Sequence, residues 1–235
     1  MNNIPPFIYY NLYEYDIKSC FFNILKNIDY ENLNLINTQN KLARNTSIGL
    51  LQKNNPILSN YLHTVSNNLI DSYIKENSLN SKNIILRNKD GIITDVFLKH
   101  SKISLELSLR ACIDKMIVGR NGHKLILYKN TNTIRLLGRK PYFNMKFFYD
   151  LINIPKLDNI SYTEKLSSLK NKVLVDPNVD IKCFLTLDKK SNQILVPFKN
   201  GKIGTISKSF LTKLGIGDID RKLIWEDLYN FIKLN

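Results

Sequence analysis

The chain has 235 residues, of which 43% are hydrophobic and 23% are charged. This composition is ordinary for a globular protein, and the length allows one large domain or two small ones. The formal net charge of +14 favours a polyanionic partner, most simply a nucleic acid. The alternative is that the many Lys residues reflect a biased composition alone.

Cysteine usage argues against a disulfide framework or a zinc site. The three cysteines, Cys20, Cys112 and Cys183, are widely spaced and form no C-x-x-C pair. No leader pattern is seen at the N-terminus, and no apolar run approaches the length of a membrane span. We therefore expect a soluble cytoplasmic protein, or one in a host cytoplasm or organelle matrix, without a membrane partner.

The first third of the chain predicts one strand and three helices. Residues 7–17 are rich in Tyr and Ile and predict a strand with a break near Asn11. Helices are expected from Ser19, from Lys41 and from Pro56, which suits a first helical turn. The last of these is the clearest, because its apolar residues recur at intervals of three and four.

Two hairpins are expected next. The apolar runs at 84–86 and 92–98 flank a polar turn that contains Asp90 and Gly91, which is a strong hairpin signal. Residues 123–128 and 133–137 flank a second turn. The intervening segment 101–115 fits a strand, a helix or both.

The C-terminal part has a different character. Residues 142–154 predict a helix, and the polar segment 156–172 leaves room for a short one. Short runs between 173 and 210 favour short strands or turns, and residues 220–234 predict a final helix. We expect an α+β fold with a boundary between 1–145 and 146–235.

Two acidic residues stand at the ends of predicted strands. Asp16 ends the first strand, and Asp90 lies in the first hairpin turn. Carboxylates on neighbouring strands can hold two divalent ions about 4 Å apart, and carboxylate oxygens are ligands that Mg²⁺ prefers. The helix that starts at Lys41 offers a cation to a triphosphate. Each feature alone also has an ordinary explanation as a strand end, a turn or a solvated helix.

Four segments, in order, resemble motifs of the family B DNA polymerases. Residues 16–25 (Asp-Ile-Lys-Ser-Cys-Phe-Phe-Asn-Ile-Leu) are similar to the first palm motif, D-x-x-S-L-Y-P-S-I-I. Residues 41–49 (Lys-Leu-Ala-Arg-Asn-Thr-Ser-Ile-Gly) are similar to the second, K-x-x-x-N-S-x-Y-G. Residues 86–91 (Leu-Arg-Asn-Lys-Asp-Gly) are similar to the third, Y-G-D-T-D-S, and residues 123–140 to a later K-K-x-Y strand pair. The resemblance covers roughly residues 7–145.

The resemblance implies a polymerase-like palm, with an antiparallel sheet and packed helices, as the catalytic core over residues 1–145. Residues 146–235 would form a smaller thumb-like or accessory region. Asp16 and Asp90 would be catalytic and would hold two Mg²⁺ ions, assisted by the carbonyl of Ile17. The partners implied are a DNA primer-template, deoxynucleoside triphosphates and a second polymerase or replication subunit.

Further residues take roles from the same motifs. Phe21 would stack under the sugar and exclude a 2′-hydroxyl, and Lys41 would face the triphosphate with Asn45 close to it. The residues expected to contact nucleic acid are basic and follow the second hairpin and its end: Lys124, Arg135, Arg139 and Lys140.

The sequence also departs from the family pattern. Asn88 stands where the third motif has its first Asp, and Ile48 where the second has Tyr. Only residues 17–40 separate Asp16 from Lys41, where the family places much of its fingers, and no exonuclease domain is expected before the first motif. The sequence is thus interpreted as a reduced polymerase. The alternatives are a palm-derived DNA-binding or replication-accessory protein that lacks the chemistry, and a structural protein whose charge is compositional.

Overall fold

The computed structural model describes residues 7–31, 33, 36, 40–98, 105, 107–131, 133–138, 141–143, 146–155, 157–188 and 191–233. These residues form helices and antiparallel strands, so the expected α+β class is confirmed. Packing divides the chain into two compact units. We call Asn11–Ile113 the first unit, and Met1–Tyr10 with Asp114–Asn235 the second unit. The functional boundary expected at residue 145 stays a prediction.

Seven helices and strands run through the first third and middle of the chain. They are β1 (Phe7–Ile17), α1 (Cys20–Asn27), α2 (Lys41–Asn54), α3 (Pro56–Glu76), β2 (Ile84–Arg87), β3 (Gly91–Thr94) and β4 (Leu107–Val118). The expected helices and the first hairpin are confirmed, and the ambiguous segment 101–115 is strand from Leu107 onward.

The later elements complete the second unit. They are β5 (Lys124–Tyr128), β6 (Ile134–Leu137), α4 (Lys146–Ile152), α5 (Asn159–Leu174), β7 (Thr186–Asp188), β8 (Gln193–Pro197), β9 (Ile203–Ile206), α6 (Lys208–Leu211) and α7 (Arg221–Ile232), with short 3₁₀ helices at Ile181–Phe184 and Ile216–Asp218. The polar segment 156–172 holds a longer helix than expected. Asp158 and Ser161 form a capping box that stabilises the start of this helix. That helix continues to Leu174, so the strand or turn expected from residue 173 was wrong there.

Strand order explains how distant segments meet. One sheet has the order β2-β3-β1-β4-β5-β6, and a second has the order β7-β8-β9. Strands β1 and β4 contribute residues to both units. The break expected in β1 corresponds to Asn11, whose φ of 53° is left-handed although the strand continues. Asn tolerates this conformation better than most residues.

Each unit has its own apolar core. In the first unit the core gathers around α3, whose Leu62, Ile70 and Tyr73 are fully buried. In the second unit Phe148 and Leu228 are among the fully buried residues. In the part of the chain that the structure describes, no helix has the length and apolar character needed to cross a membrane.

Candidate functional site

Pairing between β1 and β3 brings the backbones of the two candidate acidic residues close together. Asp16 lies opposite Gly91 in the antiparallel register. One residue further, the backbone N–H of Ile17 donates to the carbonyl of Asp90 at 2.8 Å. Asp16 and Asp90 are far apart in sequence, yet the strand pairing makes them neighbours at one end of β1. Asp16 and Asp90 both belong to the first unit.

Gly91 allows this close approach. A Cβ atom at position 91 would overlap the carbonyl oxygen of Tyr15 and would lie 3.3 Å from the Cα of Asp16. The turn is closed by the N–H of Asn88, which donates to the carbonyl of Gly91 at 2.9 Å. Glycine is therefore required here by space between strands, since its φ is not left-handed.

Side chains from two helices hold the turn that carries Asp90. The hydroxyl of Ser66, fully buried on α3, donates to the carbonyl of Lys89. The thiol of Cys20, at the start of α1, lies 3.3 Å from the same hydroxyl. The Nζ of Lys89 lies 3.2 Å from Nε2 of His63 on α3. These contacts fix the backbone on the N-terminal side of Asp90.

Phe21, the expected sugar-stacking residue, belongs to the same group of contacts. Its ring meets the ring of His63 edge-on, with centroids 5.2 Å apart. His63 has its pKa lowered by burial first and by Lys89 second, so it is neutral near pH 7. A neutral ring can accept a hydrogen bond from Lys89 through Nε2. His63 therefore connects Phe21 with the turn of Asp90.

A cation and a second carboxylate flank Asp16. Nη1 of Arg110, on β4, lies 3.4 Å from Oδ2 of Asp16 and 3.5 Å from Oε1 of Glu14. Glu14 and Asp16 lie two residues apart on β1, so both side chains point to the same face of the strand. The Glu14 side chain is only 7% exposed, whereas that of Arg110 is 50% exposed. Ser108 of β4 also reaches this end of the strand, with its hydroxyl 3.3 Å from the carbonyl of Asp16.

The electrostatic balance at Asp16 disfavours an additional negative charge. Burial raises the pKa of Asp16, and the neighbouring Asp90 carboxylate raises it further. Arg110 and Lys41 act in the opposite direction, and Glu14 adds a smaller raising effect. The net shift is upward, so these two side-chain cations do not fully compensate the carboxylates. A bound cation would do so.

Helix α2 contributes Lys41 through its first turn. The side chain of Asn40 caps the helix by accepting from the N–H of Ala43. Arg44 then joins α2 to the start of α1, with Nη2 3.4 Å from the hydroxyl of Ser19 and its guanidinium 4.6 Å from the ring centroid of Phe22. Asn45 is exposed and lies one turn after Lys41, on the same helix face. The structure thus brings Lys41 into electrostatic range of Asp16 and keeps Asn45 beside Lys41.

The potential metal ligands at this site are the carboxylates of Asp16 and Asp90. Among the described residues there is no group of three or more His, Cys, Asp or Glu side chains that could hold a metal ion. Mg²⁺ is commonly held by one or two carboxylates, with water and substrate phosphate completing its octahedron. Asp16 and Asp90 would be the two carboxylates of such a site, and Mg²⁺ binding by this pair stays a prediction. The Ile17 carbonyl as a further ligand stays a prediction.

A pocket opens beside this end of β1. It has a volume of about 400 Å³ and is lined by Ile17, Lys18, Asn23, Leu105 and Ser108. Its lining combines polar and apolar atoms from β1, α1 and the start of β4. Asp16 and Asp90 are not among these lining residues, although Ile17, which follows Asp16 in the chain, is one of them.

The expected nucleic-acid contacts belong to the second unit. The Nζ of Lys124 donates to the carbonyl of Gly122 at 2.9 Å, and burial lowers its pKa. Nη1 of Arg135 donates to the Tyr128 hydroxyl at 3.4 Å. Arg139 and Lys140 lie outside the described residues. Lys124 is thus partly buried.

Glu14, Ser66 and Arg110 are among the residues of the site that the sequence analysis did not identify. Glu14 had a usable signal, because a strand alternates faces with a period of two and Glu14 precedes Asp16 by two. Ser66 also had one, since it is a polar residue between Leu62 and Ile70 on a buried helix stripe. Arg110 had none, because its position depends on long-range strand pairing.

Comparison with known proteins adds no relative. No protein-family model matches this chain, and no curated protein matches it. The functional assignment accordingly rests on the residues and their geometry.

Proposed function

We propose that the chain is a template-dependent nucleotidyltransferase, a reduced polymerase similar to the family B DNA polymerases or a subunit of one. It would extend the 3′-end of a primer within a palm-like core over residues 1–145. The resemblance of the sequence motifs supports this proposal, as do the +14 net charge and the antiparallel sheet. Residues 146–235 would act as the thumb-like or accessory region.

One observation carries the proposal: Asp16 and Asp90, which come from separate motifs, occupy neighbouring backbone positions where β1 pairs with β3. The Asp90 carboxylate also raises the pKa of Asp16. Motifs that were unrelated in the fold would not be expected to bring these two residues to neighbouring positions. The cation of Lys41, from the second motif, acts on Asp16 as well. The sequence resemblance and the tertiary pairing therefore support the same site.

The residues divide the task between metal, phosphate and sugar. Asp16 and Asp90 would hold Mg²⁺, which when bound activates the primer hydroxyl and stabilises the leaving pyrophosphate. Lys41 would attract the triphosphate, with Asn45 beside it. Phe21 would limit space beneath the sugar. The turn contacts of Ser66 and Lys89 would keep Asp90 in place during turnover.

Primer extension tests the proposal directly. Purified protein with a primer-template, deoxynucleoside triphosphates and Mg²⁺ should extend the primer, and ribonucleotides in a parallel reaction identify the product class. Asp16→Ala or Asp90→Ala should reduce the rate about a hundredfold or more, because metal stabilisation of the transition state is worth several kcal/mol.

Asp71→Ala is the matched control, because Asp71 is an exposed carboxylate of the same unit that pairs with Arg87. Its extension rate should equal that of the wild type. Equal extension by all four proteins would refute the assignment of Asp16 and Asp90.

A second candidate function is DNA binding without chemistry. It is favoured by the ion pair between Arg110 and Asp16, which places a protein cation beside a proposed metal ligand, and by Asn88 in the third motif. This candidate predicts salt-dependent binding of nucleic acid that Asp16→Asn leaves unchanged or strengthens, with no extension by the wild type. Filter or fluorescence binding with both proteins separates the two functions.

A further inference from the structure

Glu14 and Arg110 form a charged pair that the proposed catalytic roles leave unexplained. The Glu14 side chain is almost fully buried, and burying a carboxylate is costly unless it is paired. Arg110 provides that pairing from β4 and is half exposed. An apolar side chain at position 14 would avoid this cost, so the pair suggests a purpose beyond packing.

The pair fixes one end of the guanidinium and leaves the rest available. Both acidic contacts of Arg110, to Glu14 and to Asp16, are made through Nη1. Within the described part of the chain, Nε and Nη2 of Arg110 have no hydrogen-bond partner. A guanidinium presents several N–H donors in a rigid fork that matches phosphate geometry. Arg110 therefore has unused donors beside a proposed metal ligand.

The backbone that carries Arg110 is also held. The hydroxyl of Tyr73, a fully buried residue of α3, accepts from the N–H of Leu107 at 3.0 Å and donates to the carbonyl of Leu105. This anchors the start of β4 to the longest helix of the first unit. Ser108 joins the same strand to the carbonyl of Asp16. Arg110 thus extends from a fixed strand.

We propose that Arg110, oriented by Glu14, binds the phosphates of an incoming nucleoside triphosphate. This inference rests on the proposed function, because it uses the same site. Arg110 reaches Asp16 from β4 with its Nη1 3.4 Å from Oδ2, so it is a cation placed directly at the proposed metal ligand. Arg110 is a substrate-binding residue in this scheme, and Glu14 is a positioning residue.

Nucleotide binding without a primer-template tests the inference, because no turnover occurs. The affinities of a fluorescent deoxynucleoside triphosphate and of the corresponding monophosphate are measured in Mg²⁺. Mn²⁺ affinity is measured separately by electron paramagnetic resonance. Arg110→Gln should weaken triphosphate binding about tenfold or more, as expected for charge-assisted hydrogen bonds. Its monophosphate affinity should change much less, and its Mn²⁺ affinity should not fall.

Two further variants and one control sharpen the test. Arg110→Lys should recover only part of the triphosphate affinity, because an ammonium lacks the fork geometry. Glu14→Gln should weaken the triphosphate affinity by a smaller factor. Arg87→Gln removes an arginine of the same unit that pairs with Asp71 and should bind as the wild type does. Circular dichroism checks that each variant is folded.

The outcomes distinguish this inference from the proposed function. Unchanged triphosphate affinity in folded Arg110→Gln overturns the inference, and a simultaneous gain in Mn²⁺ affinity would make Arg110 only a counter-ion of Asp16. Arginine-dependent triphosphate binding without primer extension supports the inference and contradicts the polymerase. A wild-type protein that binds neither nucleotide nor Mn²⁺ overturns both.

Discussion

At Asp16, burial and a neighbouring carboxylate outweigh two nearby cations. A group whose pKa is higher in the folded protein than in the unfolded chain stabilises the fold at acid pH and loses that contribution as the pH rises. For Asp16 the loss begins above about pH 4, the ordinary range of an aspartate, and is complete once the folded-state pKa is passed. Without divalent ions, ionised Asp16 therefore costs stability at neutral pH.

Asp16→Asn should consequently raise the melting temperature at pH 7 in the presence of a chelator, by on the order of 2 °C for a protein of this size. The gain should shrink as the pH approaches 3, where Asp16 is protonated in both states. Thermal unfolding followed by circular dichroism from pH 3 to pH 8 measures this difference.

Asp71→Asn provides the comparison, because Asp71 is exposed and ion-paired and should give little change or a small loss at pH 7. A fall in the melting temperature of Asp16→Asn at pH 7 would show that the Arg110 contact outweighs burial and repulsion.

At the residue scale, the sequence predicts the acidic pair and misses the cation beside it. Asp16 and Asp90 could be identified because each lies at a feature that the local sequence predicts. Asp16 is at a strand end, and Asp90 is in an Asp-Gly turn. Arg110 could not, since nothing local in residues 101–115 distinguishes strand from helix. Its contact with Asp16 arises from pairing between segments more than ninety residues apart. Side-chain contacts of that kind depend on register, which a single sequence leaves open.

At the element scale, the hairpin of β2 and β3 depends on a glycine for its approach to β1. Most turn glycines are explained by a left-handed backbone, yet Gly91 is not among the left-handed glycines. The limiting factor is the carbonyl oxygen of Tyr15 on the neighbouring strand. Pairing at this point is what places Asp90 beside Asp16.

Gly91→Ala should therefore destabilise the protein by about 1–3 kcal/mol, the usual cost of overpacking. It should also weaken Mn²⁺ binding at Asp16 and Asp90, because the strands must move apart. Urea denaturation and electron paramagnetic resonance measure the two effects.

Gly49→Ala is the matched change, since no atom lies within 4 Å of a Cβ at that helical position. Alanine there should stabilise α2 by about 0.5–1 kcal/mol. If the two variants had the same stability, the close approach of β3 to β1 would not limit the fold.

Helices and hairpins with clear cap or turn residues were predictable from sequence, but the way they pack together was not. The caps at Asn40 and Asn55, and Pro56 after the second cap, mark helix starts that the structure shows. The full length of α5 was not predicted, because its residues are mostly polar. Its stability depends on the few residues that face the core, such as Leu166 and Leu169. Composition averaged along such a segment conceals this narrow apolar stripe.

At the scale of the whole molecule, the net charge of +14 favours binding to nucleic acid, and the four basic residues expected to contact it predict the salt dependence of that binding. If Lys124, Arg135, Arg139 and Lys140 each contact a phosphate, the logarithm of the affinity for duplex primer-template should fall against the logarithm of salt concentration with a slope of about −3.6. Between 50 and 200 mM salt this corresponds to a loss of roughly a hundredfold. Fluorescence anisotropy over that range measures the slope.

Arg135→Gln should reduce the magnitude of the slope by about 0.9, the share of one phosphate contact. Lys222→Gln, which removes an exposed lysine of the same unit paired with Glu226, should leave it unchanged. If both variants and the wild type had equal slopes, the positive charge would reflect composition and would not form a nucleic-acid-binding surface in the second unit.

The contact between Cys20, Ser66 and the carbonyl of Lys89 gives the protein a built-in reporter. Burial raises the pKa of the Cys20 thiol, so alkylating reagents react slowly with it while α1, α3 and the hairpin turn stay packed. The rate of Cys20 alkylation therefore reports how often the turn of Asp90 opens. Mass spectrometry distinguishes modification of Cys20 from that of Cys112 and Cys183. Ligands that hold this turn closed should lengthen that time, so occupancy of the site can be followed without any assay of catalysis.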